Sequence, residues 1–216
     1  MKNINNAVWK LIDADPSIQL DLDREIVNVR ALARYCVKQG IGASENALIS
    51  AIRRYPKSKT RPWYDQARRV LAQSHVSAKS QIVYIELNKG DALTAVLPEL
   101  LPMVRYEKGE TFRILQGEES IRLLVDEKNA DRMLEKIPAK SVLNMHRNLG
   151  ELNVHLPSMA GKTPGVVYVV SGELARNNIN MYEMLGGAPE LLIFIAEKDL
   201  MVAYKVLFEM CHAKGK

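Results

Sequence analysis

The sequence predicts an α+β fold in which a helical N-terminal domain is followed by two βαββαβ units. Apolar residues recur at helical spacing through residues 1–74, whereas alternating strand patterns begin only after residue 75. The order strand–helix–strand–strand–helix then occurs twice, which indicates an internal duplication. Basic residues are concentrated in the helical region. We therefore predict domains at residues 1–74, 75–147 and 148–216.

The composition is that of a globular protein. Its 216 residues are sufficient for two or three small domains. No apolar run approaches the roughly 20 residues of a membrane span, and no signal peptide is recognisable. Cys36 and Cys211 lie far apart without CxxC spacing, so we expect neither a disulfide framework nor a zinc site. The expected protein is cytoplasmic, with no membrane contact, metal or cofactor.

The helical region has the pattern of a helix-turn-helix. Residues 7–14 predict a short helix, residues 18–25 a helix or turn, and residues 29–38 a helix with one apolar face. Gly40 and Gly42 then interrupt the pattern, and Ser44 is a suitable N-cap for a further helix that continues to Tyr55. Two helices joined by a short glycine-containing turn occur in many DNA-binding regulators. A helical packing domain without DNA binding would show the same periodicity.

Charge is distributed unevenly along the chain. Residues 1–74 contain 13 Lys and Arg against 7 Asp and Glu, whereas residues 75–216 contain 17 against 18. The basic residues cluster from the end of the Ser44 helix onward, where they predict contacts with nucleic-acid phosphates. The residues concerned are Arg53, Arg54, Lys57, Lys59 and Arg61. A solvated basic linker is the alternative interpretation. Double-stranded DNA is therefore one expected partner.

Residues 150–210 carry the clearest α/β signal. Leu152, Val154 and Leu156 alternate with polar residues, as in a half-buried strand. Pro164 suits the first position of a helix, and Gly165 allows close approach above that helix N-terminus, where free N–H groups favour a carboxylate. Residues 177–178 predict the helix end, residues 191–195 a strand and residues 203–210 a second helix. The final strand of the unit must be very short, absent or supplied from elsewhere in the chain.

Residues 81–147 form a divergent copy of this order. Strands are predicted at residues 81–88, 112–115, 121–125 and 141–145, and helices after Gly90 and at residues 129–137. The copy lacks the Pro-Gly turn and the Asn-Ile-Asn run. Pro98 and Pro102 also interrupt its first helix. We predict a structural or pairing role for this copy.

The element order with both turn signals resembles the ACT domain, the small-molecule-sensing module in the regulatory part of aspartokinases. The resemblance is best over residues 150–212. It implies two ferredoxin-like units that pair with one another or with a second chain, the latter as a homodimer, and that bind an amino-acid effector where two units meet. By this resemblance the binding residues are Thr163, Pro164, Gly165 and Val166 on the first loop and Ile179, Asn180 and Met181 on the second strand.

The resemblance favours a sensor over an enzyme. Gly161, Lys162 and Thr163 precede a helix as in a phosphate-binding loop, but the position that requires the first glycine is Leu156. The four histidines stand in no recognisable relation to a nucleophile or carboxylate, so we predict no catalytic residues. The predicted function is amino-acid sensing by a transcriptional regulator. The alternative is a free-standing regulatory subunit of an amino-acid biosynthetic enzyme that does not bind DNA.

Overall fold

A computed structural model of the chain describes residues 4–56 and 63–212, apart from the side chains of residues 91, 92 and 94. The chain forms two compact units, a helical unit at Met1–Pro62 and a sheet unit at Trp63–Lys216. Across these described ranges, no helix has both the length and the hydropathy to cross a membrane. The α+β class is confirmed.

The described part of the helical unit contains four helices, and a side chain caps the N-terminus of three of them. Its elements are α1 (Ile4–Asp13), α2 (Pro16–Asp23), α3 (Val29–Lys38) and α4 (Glu45–Arg53). Asp15 caps α2, Asn28 caps α3 and Ser44 caps α4, each by accepting a backbone N–H bond. The turn between α3 and α4 contains Gly40 at φ +85°, a conformation that glycine adopts without steric cost.

The core of the helical unit lies between α1, α3 and α4. Its fully buried side chains include Val8, Ile12, Cys36 and Leu48. The indole N–H of Trp9 donates to the carbonyl oxygen of Ala51 at 3.0 Å and fixes α1 against α4.

The sheet unit alternates helices and antiparallel strands. Its helices are α5 (Trp63–Leu71), α6 (Asp91–Leu100), α7 (Glu127–Lys136), α8 (Val166–Arg176) and α9 (Leu200–His212). Its strands are β1 (His75–Asn88), β2 (Phe112–Gln116), β3 (Ser120–Asp126), β4 (Val142–His155), β5 (Met181–Gly186) and β6 (Glu190–Ala196). Pro98 lies inside α6, and Pro102 lies in a short 3₁₀ turn that follows it.

The six strands within residues 63–212 form one sheet in the order β2-β3-β1-β4-β6-β5. The order is symmetric about the central pair, because β1 and β4 each run through both halves of the sheet. Residues 75–79 of β1 pair with residues 151–155 of β4, so the start of β1 occupies the place of the fourth strand of the second unit. The separate strands predicted at residues 141–145 and 152–156 are one continuous strand. We call the part with β2 and β3 the first half and the part with β5 and β6 the second half.

A bulge in each central strand marks the junction of the two halves. The pairs Lys79↔Glu151 and Ile82↔Leu149 enclose an extra residue on β1, and a further shift follows on β4. Gln81 at φ +60° and Asn148 at φ +57° occupy the two bulges. Side chains alternate between the two faces of a strand, so one inserted residue exchanges the faces for all residues beyond it. Val76 and Val83 consequently both pack against helices, although they are an odd number of residues apart.

Helices cover one face of the sheet. The first half packs against α6 and α7, and the second half packs against α8, α9 and α5. Ala67, Val70 and Leu71 of α5 are buried with residues of β4 and α8. Helix α5 therefore packs within the sheet unit, whereas the predicted boundary at residue 74 groups it with the helical domain.

The opposite face of the sheet is concave and encloses a core of its own. Arg122 on β3 and Glu183 on β5 form an ion pair. Three strands separate β3 from β5 in the sheet, which corresponds to about 19 Å in a flat sheet at 4.8 Å per strand. The sheet must therefore curl. The curl buries a cluster with residues from both halves, which we call the concave-face cluster: Ile82, Tyr84, Leu124, Leu149, Leu192 and Phe194.

Candidate functional site

The first predicted cluster lies at the N-terminus of α8. Gly165, at φ +89°, is the N-cap residue, so the helix begins at Val166. Pro164 precedes the cap, and its prediction as the first helical residue is wrong. Thr163 Oγ donates to the carbonyl oxygen of Met159 at 2.9 Å. Val166 is buried in the core, so only its backbone is available to a ligand.

An aromatic side chain of the same unit occupies the side of Gly165 on which a Cβ atom would lie. A Cβ atom placed on Gly165 would lie 2.3 Å from Cε3 of Trp63, the first residue of α5. The Trp63 ring also contacts Tyr168 edge-on at a centroid distance of 5.1 Å. Gly165 indeed permits close approach to the helix, as predicted, and the group that approaches is the Trp63 indole.

The second predicted cluster lies where α8 gives way to β5. Asn178 lies two residues after the end of α8 in the left-handed conformation, at φ +57°, which confirms the predicted helix stop. Ile179 is buried in the core beneath α8. Asn180 is exposed and Met181 is half-buried, so these two residues present the accessible side-chain surface of the cluster.

The structure does not bring the two clusters together within one chain. Helix α8 has 11 residues and connects them, so they lie about 16 Å apart at 1.5 Å per residue. A single small ligand cannot touch both clusters of the same copy of the second half.

The first half carries a turn equivalent to residues 178–180. Gly109, at φ +70°, precedes β2 by three residues, just as Asn178 precedes β5. Lys79 Nζ donates to the carbonyl oxygen of Gly109 at 2.8 Å and lies 2.6 Å from Asp126 Oδ1. A polar cavity of about 150 Å³ adjoins this turn. The sequence did not reveal this equivalence, because the common property of Gly109 and Asn178 is tolerance of positive φ rather than side-chain similarity.

The carboxyl groups of Glu151 and Glu110, beside the Gly109 turn, have pKa values shifted in opposite directions. Burial raises the pKa of Glu151, against the opposing effect of Arg113 and Lys79. Hydrogen bonds from Lys128, the Arg105 backbone and Asn129 lower the pKa of Glu110 to about 2. The Gly109 turn of the first half is therefore surrounded by ion pairs and hydrogen bonds. The corresponding turn of the second half has the exposed side chain of Asn180 instead.

The predicted nucleic-acid residues are only partly described. Arg53 and Arg54 are exposed at the end of α4. Lys57, Lys59 and Arg61 lie outside the described residues. Residues 4–56 contain 7 Lys and Arg against 6 Asp and Glu, so this part of the helical unit is close to neutral. In α5, Arg68 lies 3.7 Å from Glu173 and contributes to packing on α8.

One histidine does stand near a hydroxyl and a carboxylate, contrary to the sequence-based expectation. Ser77 Oγ lies 3.3 Å from His155 Nε2, and His155 Nδ1 lies 3.6 Å from Glu190 Oε1. The three residues occupy adjacent strands, where Ser77 and Glu190 are exposed. Nucleophilic catalysis also requires a water-excluded site with oxyanion donors. Three polar neighbours on an exposed sheet end do not constitute such a site.

Comparisons with known proteins identify the fold. No protein-family model and no curated protein match the sequence. The chain is similar to the regulatory subunit of aspartate kinase from Thermus thermophilus (TM-score 0.50, 13% identity), covering 62% of this chain and 96% of that chain. The Thermus flavus regulatory subunit gives TM-score 0.50, 13% identity and coverage of 63% and 96%. Clostridium acetobutylicum aspartate kinase gives TM-score 0.50 and 19% identity; the match covers 62% of this chain but only 34% of that enzyme. The fold of the matched 62% of the chain is that of ACT-type aspartokinase regulatory domains.

Proposed function

We propose that this chain is an amino-acid-responsive regulatory protein. In this proposal the sheet unit binds the effector and the helical unit passes the response to a partner. The observation that carries the proposal is the curled six-stranded sheet, because the matched region accounts for 96% of the Thermus thermophilus regulatory subunit. That protein is the regulatory subunit of an aspartate kinase, and the Clostridium relative is an allosteric enzyme.

The proposed effector site combines the two predicted clusters from different copies. Backbone N–H groups at the start of α8 would receive the effector carboxylate, and Asn180 and Met181 of another unit would complete the pocket. The 16 Å separation within one chain supports this arrangement, because only a second copy can place the clusters together. Effector binding is then linked to formation of a homodimer.

An amino acid should raise the thermal stability of the protein. At about 100 times its dissociation constant, an effector adds about 2.7 kcal/mol to the free energy of unfolding. For a protein of this size, this corresponds to an increase of roughly 5–11 °C in Tm. A thermal-shift screen with the twenty amino acids measures the effect. The absence of any shift would remove the support for an effector.

A pair of matched variants locates the effector. Asn180→Ala should abolish the ligand-dependent shift while leaving the Tm of the free protein nearly unchanged, since Asn180 is exposed. The same substitution at Asn6, an exposed residue of α1, should retain the full shift. Equal shifts in both variants would place the effector elsewhere.

The proposed output of the helical unit is DNA binding. Two observations support it: α3 and α4 are joined by a short turn, and Arg53 and Arg54 are exposed at the end of α4. Replacement of both arginines by Ala should weaken binding and reduce the slope of log affinity against log salt by about 1.8. Titration of duplex DNA at several salt concentrations measures this slope. Replacement of Arg176 and Lys205, which lie in the sheet unit, removes the same charge and should leave the slope unchanged.

The same titration separates the two candidate functions. If the wild-type chain has no measurable affinity for duplex DNA at low salt, the helical unit docks a protein instead. The chain is then a free-standing regulatory subunit of a biosynthetic enzyme, a reading supported by the Thermus relatives, which are regulatory subunits of aspartate kinase.

A further inference from the structure

The helical unit contains a cavity of about 290 Å³ between α2, the connection from α2 to α3, and the end of α4. This volume is at the lower end of the range for small-molecule sites, which begins at about 300 Å³. The cavity is lined by Leu22, Glu25, Val27, Val29, Ile52, Arg53 and Tyr55. Its wall is therefore mainly apolar, with a carboxylate and a guanidinium among the lining groups.

The inner wall of the cavity is held in place by contacts behind it. Ile52 and Tyr55 are 2% and 6% exposed and belong to the core of the unit. The Tyr55 hydroxyl donates to Asp13 Oδ1 at 2.6 Å, and its ring packs edge-on against Trp9 at a centroid distance of 6.4 Å. These contacts keep the Tyr55 ring from turning into the cavity. The site is consequently formed before a ligand arrives.

Arg53 gives the cavity its chemical preference. Its side chain is exposed on the last residue of α4, and among residues 4–56 and 63–212 no group lies within ion-pair or hydrogen-bond distance of its guanidinium. A guanidinium stays charged at all physiological pH values and binds a carboxylate through two parallel N–H bonds. An aliphatic wall beside an available guanidinium matches a molecule with a short apolar chain and one carboxylate.

We propose that this cavity binds a small aliphatic carboxylic acid. The apolar chain lies among Leu22, Val27 and Val29, and the carboxylate pairs with Arg53. The site is separate from the effector site in the sheet unit, and it does not depend on the proposed function.

Calorimetric titration of the full chain with isocaproate tests the proposal. Isohexanol and isohexylamine have the same carbon skeleton and replace the carboxylate by a neutral and a cationic group. We expect isocaproate to bind at least about tenfold more tightly than either, the usual effect of a hydrogen bond to a charged group. Arg53→Gln should remove this preference. Arg34→Gln removes the same charge from the exposed side of α3, away from the cavity, and should retain it.

A second variant tests the cavity itself. Val29→Phe adds a ring to the half-buried residue at the start of α3 and should abolish isocaproate binding, while the helical signal in circular dichroism stays at the wild-type level. The proposal is overturned if isocaproate does not bind, if isohexanol binds equally well, or if Arg53→Gln and Val29→Phe both bind isocaproate as the wild type does.

Discussion

Phe194→Ala should lower the free energy of unfolding of the sheet unit by about 3–5 kcal/mol. Phe194 is fully buried in the concave-face cluster, where it packs with residues from both halves of the sheet. Truncation removes a large apolar side chain and leaves a cavity that the strands cannot fill without losing their curl. The expected decrease in Tm is roughly 6–20 °C, measured by calorimetry.

The same substitution at an exposed position provides the control. Phe208 lies on α9 and is 41% exposed, so Phe208→Ala should cost less than about 1 kcal/mol. If the two variants have similar Tm values, the concave-face cluster contributes little to stability. The curled sheet would then depend on the helix-covered face alone.

Gly165→Val should destabilise the sheet unit by about 2–5 kcal/mol. The residue has φ +89°, a conformation that is unfavourable for a β-branched side chain by roughly 1–2 kcal/mol. A Cβ would also lie 2.3 Å from Trp63, and such overpacking costs about 1–3 kcal/mol. Denaturant unfolding with a common slope for both proteins measures the difference.

Two further variants separate these causes. Gly172→Ala lies within the same helix, where an added Cβ meets no atom within 4 Å, and should stabilise the protein by about 0.5–1 kcal/mol. In a Trp63→Ala background, Gly165→Val should cost about 1–3 kcal/mol less than in the wild type, because the clash is removed. An unchanged cost would mean that Trp63 does not rest on Gly165.

Local signals in the sequence were sufficient for the elements of the second half. A continuous apolar run identified the strand at residues 191–195, and Asn178 identified the end of α8, because both features depend on neighbouring residues only. The start of α8 was placed too early. Proline suits a first helical position, but here the left-handed Gly165 lies between Pro164 and the helix.

Features that depend on distant residues could not be predicted in the same way. The sequence left three possibilities for the strand after α9, and the choice rests on a pairing between residues 75–79 and 151–155. The basic residues of α5 favoured its assignment to the helical domain. Its apolar residues Ala67, Val70 and Leu71 nevertheless form a face that packs in the core of the second half. Gly165 indicated that something approaches closely, and no sequence pattern specifies that this group is Trp63.

The position of β1 affects the order in which the chain can fold as it is made. The first residues of β1 cannot form their backbone pairs until β4 has been synthesised, since Lys79 pairs with Glu151. At a synthesis rate of about 5–20 residues per second, residues 80–151 take roughly 4–15 s to leave the ribosome. During that interval the first half can form, while one margin of it exposes unpaired backbone groups that another chain could bind. Completion of the sheet is therefore a late, long-range step, and the speed of translation through α7 and β4 sets how long the nascent protein remains open to association.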